Sequence, residues 1–112
     1  MDKSKRIEKE LHRLQRLFGS IADNKRQLVD GLLYRSAYMR VTLEDYEADL
    51  DEFGYVESFT QSEKTAPYER ERPVARLYNT MLKNYSTTLK QLIDLLPEEV
   101  KVVVKNEILD YM

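Results

Sequence analysis

The chain has 112 residues, 34% of them charged and 42% hydrophobic, with three glycines, three prolines and no cysteine. That is the length of a single domain with too few turn formers for a β fold, and the missing cysteines exclude disulfides, thiol nucleophiles and thiolate metal sites. The net charge of −2 hides a gradient: residues 1–40 hold ten Lys/Arg against five Asp/Glu, residues 41–72 three against ten, and residues 73–112 five of each.

Residues 2–18 read as a first helix, with Ile7, Leu11, Leu14 and Phe18 at helical spacing and Gly19 placed to end it. Lys3, Lys5, Arg6, Lys9, Arg13 and Arg16 fill most of the remaining positions. His12 lies off the apolar stripe among these bases, with nothing nearby to orient it, and reads as a surface histidine. The leader MDKSKRIEKE has no apolar signal core, and no run approaches membrane-spanning length, so a soluble, unexported chain is expected.

Residues 23–40 read as a second helix capped by Asp23 or Asn24, burying Leu28, Val29, Leu32, Leu33, Ser36 and Met39. Gly31 inside it marks either a close helix crossing or simple tolerance. Thr42 starts a third helix through a weak capping box with Asp45, or continues the second after a bend. Leu43, Tyr46, Leu50 and Phe53 form its apolar stripe, an acidic outer face surrounds it, and Gly54 closes it. Residues 55–72 show no sustained period and read as a long connection. Val56 to Phe59 suggests a short strand that lacks a strong second strand to join.

The most strongly patterned stretch runs from Pro73 to Leu96. Val74, Tyr78, Met81, Tyr85, Thr88, Leu92 and Leu95 are spaced alternately four and three apart, a heptad row on one side of a helix. Leu77, Leu82, Leu89, Ile93 and Leu96 widen the face. A helix this apolar must lie against others, of its own chain or of a second copy. Val74, Tyr78, Met81, Tyr85, Leu92 and Leu95 are the candidate residues of an oligomer interface. Pro73 suits the first helical position and Pro97 stops the ladder. For residues 98–112 a helix with Val100, Val103, Val104, Glu107, Ile108 and Tyr111 on one face competes with a Val100–Val104 strand, and the helix is favoured.

The expected fold is all-α: a small bundle of four to five helices with one long helix at 73–96, assembling with itself. Three stretches follow: a basic N-terminal helix (1–22), a helical and oligomerising core (23–97) and a C-terminal segment (98–112). No phosphate-binding glycine loop, no metal-ligand set and no nucleophile–base arrangement is present, so no catalytic residue, metal or cofactor is expected and the chain does not read as an enzyme.

In the order of these parts the chain resembles the small subunit of phage terminase. The likeness rests on DNKRQLVDGLLYRSAYMRVTLEDYEADLDEFG after a basic leader, then a loop, then RPVARLYNTMLKNYSTTLKQLIDLLP, and covers about residues 24–97. It implies a ring-forming protein of bacteriophage genome packaging, acting in the host cytoplasm. Such a subunit binds double-stranded viral DNA and recruits the large subunit that holds the ATPase and nuclease. Under that resemblance Lys3, Lys5, Arg6, Lys9, Arg13, Arg16, Lys25 and Arg26 are the expected phosphate contacts. A helical protein–protein adaptor with no nucleic-acid role is the alternative, favoured by the acidic segment 41–72.

Overall fold

The computed structural model describes residues 2–21 and 23–111, with side chains up to residue 107. Four α-helices and one β-hairpin follow in order: α1 (Lys3–Leu17), a single 3-10 turn (Asp23–Lys25), α2 (Arg26–Phe53), β1 (Val56–Phe59), β2 (Tyr68–Glu71), α3 (Pro73–Asp94) and α4 (Glu98–Tyr111). The protein is an all-α helical bundle with a hairpin inserted between its two longest helices.

Helix α1 starts at Asp2, whose carboxylate accepts the Lys5 N–H at 2.8 Å. It ends at Phe18, whose N–H reaches the Leu14 carbonyl at 2.9 Å. Gly19 follows without a left-handed conformation; among the described residues only Gly54 has positive φ.

The two helices expected over 23–40 and 42–54 are one continuous helix of 28 residues. Nothing between Met39 and Leu43 breaks a helix, and Val41, Thr42 and Leu43 are all buried, so neighbours cover more than half of the circumference of this turn. Thr42 therefore never takes the extended conformation of a cap. Its hydroxyl is buried with no hydrogen-bond partner among the described residues. Two expected core residues of α2, Leu28 and Phe53, are more than 60% exposed instead. The longest helix is thus α2, not the 22-residue α3.

Helices α1 and α3 both pack on α2, and α4 folds back on α3. Leu14 and Phe18 of α1 meet Val29, Leu33 and Ala37 of α2, Leu89 and Leu92 of α3, and Val104 of α4 in one core. Burying each such side chain stabilises by about 1.5–3 kcal/mol. In α4 the helical expectation holds, with Val104 buried and Val100 half-buried, but Val103 is 60% exposed and Glu107 faces solvent. The side chains of Ile108 and Tyr111 lie outside the described ones.

The strand pattern was only half legible, because β1 does find a partner. It pairs antiparallel with β2 in the register Val56–Glu71, Glu57–Arg70, Ser58–Glu69 and Phe59–Tyr68. The Phe59 and Tyr68 rings meet edge to face at 5.8 Å, and Arg70 bonds Glu57 at 2.8 Å while stacking over Phe59. These cross-strand pairs do what β propensity alone would not, since YERE is a poor strand by composition.

Candidate nucleic-acid and assembly surfaces

The eight expected phosphate contacts divide into two groups. Lys5, Lys9 and Arg16 are exposed and make no ion pair among the described residues. With His12, also exposed, they follow the spacing i, i+4, i+7, i+11, which confines them to about 60° of arc on α1. The core residues Ile7, Leu14 and Phe18 occupy the opposite side, so this ridge points straight out of the molecule over about 16 Å of helix. Lys25 is exposed at the start of α2.

The other four turn inward. Arg6 bonds Asp45 at 2.6 Å and reaches the Val41 carbonyl at 3.5 Å; Lys3 lies 3.9 Å from Asp45 and over the Tyr38 ring. These contacts fix the N-terminal turn of α1 against the acidic half of α2. Arg13 holds Glu10 in a fork, with Nε at 2.9 Å from Oε1. Glu10 is 7% exposed, a burial that this charge-assisted pair makes tolerable. Arg26 is half-buried and donates to the Ile21 carbonyl at 3.5 Å.

Five of the six candidate interface residues face their own chain. Tyr85 and Leu92 are 2% and 0% exposed, and Tyr78, Met81 and Leu95 pack half-buried against the same core. Val74 is half-buried as well. The heptad row is therefore the seam between α3 and the rest of the bundle. The Tyr85 hydroxyl hydrogen-bonds Arg40, and burial raises its pKa above the usual tyrosine value, outweighing the lowering by Arg40 and Arg13.

The Tyr78 hydroxyl donates to Glu47 at 2.9 Å. Burial, the bond to Glu47 and the negative charges of Glu47 and Asp51 push its pKa up to about 12. Glu44, Glu47 and Asp51, at i, i+3 and i+7, form an exposed acidic stripe on α2.

What the sequence did not announce is the role of Arg72. Its N–H closes on the Tyr55 carbonyl at 2.8 Å, and its guanidinium donates to the Gly54 carbonyl at 2.7 Å and to Asp49 at 2.6 Å while lying over the Phe53 ring. One side chain thus ties the end of α2, the base of the hairpin and the start of α3. Around it Phe53, Tyr55, Val56 and Leu77 are each more than half exposed. A clue lay in the sequence: Arg72 precedes Pro73, so it is held extended and cannot join the helix.

No helix among the described residues is long and apolar enough to cross a membrane. No known protein family, no curated protein and no solved structure matches the chain.

Proposed function

We propose that the chain binds double-stranded DNA through the outward ridge of α1 and works, without catalysis of its own, as a small terminase subunit. In that role it marks viral DNA in the host cytoplasm and brings the large ATPase/nuclease subunit to it. The observation that supports this best is the ridge itself: Lys5, Lys9 and Arg16 on one helix face, exposed and without an acidic partner among the described residues. Side chains so placed neutralise phosphates along a backbone and give affinity rather than base readout. Self-assembly into a ring belongs to this role, and of the candidate interface residues on α3 Val74, Tyr78, Met81 and Leu95 keep part of their surface exposed for it.

The test is retention of a random duplex at low salt by the parent and by Lys5→Glu/Lys9→Glu/Arg16→Glu. The triple variant should lose at least tenfold in affinity. The parent should show a log–log salt slope of about −2.7 if three phosphates are neutralised. Unchanged retention by the triple variant removes the reading. Lys3→Glu/Arg6→Glu should instead lower stability, because those side chains hold Asp45.

The adaptor reading has its own observation in the acidic, apolar end built around Arg72. It predicts a chain that ignores DNA at every salt concentration and is recovered with a protein partner.

A further inference from the structure

The hairpin carries backbone groups that the fold leaves unpaired. Its ladder continues one step past the strands: the Arg72 N–H bonds the Tyr55 carbonyl, and residue 55 opposite 72 keeps the register of Val56 opposite Glu71. Bonded and non-bonded pairs alternate along an antiparallel ladder. The bonded pairs are therefore Glu57–Arg70 and Phe59–Tyr68. Glu69 and Glu71 turn their N–H and C=O groups away from β1, and no other backbone bond among the described residues takes them up.

Two further observations say what would lie along that edge. Glu69 and Glu71 share one face of the ribbon; among the described residues Glu69 has no cation partner and Glu71 is met only by Arg76 at 3.7 Å, itself 85% exposed. Beyond Glu71 a groove opens between β2 and the first turn of α3, lined by Arg70, Glu71, Pro73, Arg76 and Leu77. It offers apolar surface, since Leu77 is 54% exposed.

We infer that the outer edge of β2 receives an extended strand from a partner protein, one that alternates basic and apolar side chains. Strand addition supplies the missing bonds to Glu69 and Glu71. Positions opposite those two carboxylates fall two apart on the incoming strand and on one face, which asks for a cation at every second residue. The residues between them face the side of Tyr68 and Arg70, and the end of the strand reaches Pro73 and Leu77.

A second copy of this chain does not fit. Antiparallel self-pairing about a two-fold axis keeps each face with itself, so full overlap sets Glu69 against Glu69 or against Glu71 of the other copy. Like charges directly opposite destabilise a sheet. The outer edge of β1 presents Val56 and Ser58 and has no charge to select a partner. The inference does not depend on the DNA-binding ridge, which lies on α1.

The test titrates a labelled octapeptide of alternating lysine and valine into the full 112-residue chain. Binding is followed by fluorescence anisotropy, and amide exchange locates it. The expected result is protection of the Glu69 and Glu71 amides, with no response to the same peptide carrying glutamate for lysine. Glu69→Pro removes an outward N–H without touching the ladder and should weaken binding at least tenfold. Ser58→Pro does the same on the other edge and should leave binding unchanged. Circular dichroism of both variants should match the parent, and Glu69→Lys/Glu71→Lys should weaken binding where a proline disturbs the fold. The inference is overturned by unprotected Glu69 and Glu71 amides, by equal binding of the glutamate peptide, or by sensitivity to Ser58→Pro alone. Protection that grows with protein concentration in the absence of peptide would give the edge to a second copy, and would overturn it too.

Discussion

Gly31 and Gly54 show how differently one residue type is used. At Gly31 a Cβ would meet nothing within 4 Å, so no helix crosses closely there and the glycine only loosens α2. Gly31→Ala should stabilise the protein by about 0.5–1 kcal/mol in chemical denaturation. Gly54 has φ 81° and ψ −176°, a conformation essentially confined to glycine, while its N–H bonds the Leu50 carbonyl at 2.8 Å. Gly54→Ala should cost about 1–3 kcal/mol despite the free space around it. The sequence marked Gly54 correctly as a helix end and treated Gly19 the same way, because spacing does not reveal φ. Tyr78 adds a pH dependence. Its pKa is raised in the folded state, so its contribution is complete below about pH 10 and is lost as pH rises toward 12. Alkaline unfolding curves should show this decline, and Tyr78→Phe should flatten it. A remainder will persist from Tyr85, which burial shifts in the same direction.

At the scale of elements, periodicity located every helix among the described residues, misjudged a junction and left one face undecided. The junction was Thr42, where a capping pattern suggested a start and burial of three consecutive residues kept α2 unbroken. The unpaired hydroxyl left there costs stability, and Thr42→Val should raise it by about 1 kcal/mol, visible as an increase in Tm. The undecided face was the heptad row in α3, which a single sequence cannot assign to its own chain or another, because both burials need the same pattern. The hairpin escaped because its second strand is held by pairs across the ladder rather than by its own composition. Arg72 carries the joint between the hairpin and the helices. Arg72→Ala should lower stability by about 2 kcal/mol, since it removes two hydrogen bonds at once, one of them to a carboxylate. Amide exchange should then show the hairpin opening before the core residues of α2 and α3.

The molecule as a whole is long, measuring 63 × 28 × 24 Å with a radius of gyration of 18.3 Å, against about 13 Å for a compact chain of similar length. Its surface of 7898 Å² exceeds the roughly 6,500 Å² expected for a monomer of this mass. The excess follows from α2, which runs past the shared core to carry the hairpin. Small-angle scattering of the monomer should return a radius near 18 Å, and a clearly larger value rising with concentration would mean that copies associate. The charge gradient seen in the sequence is partly cancelled inside this shape, where Lys3 and Arg6 reach Asp45. What survives is a basic ridge on α1 and an acidic stripe and ribbon toward the other end.

Most elements here also lie against one next to them in the chain, α1 on α2, β1 on β2 and α4 on α3, and α3 reaches α2 across nothing longer than the hairpin. Few distant segments have to find one another before the native state forms, so the search is short. The main phase of refolding from denaturant should fall in the millisecond range or below, as stopped-flow fluorescence of the tyrosines would show.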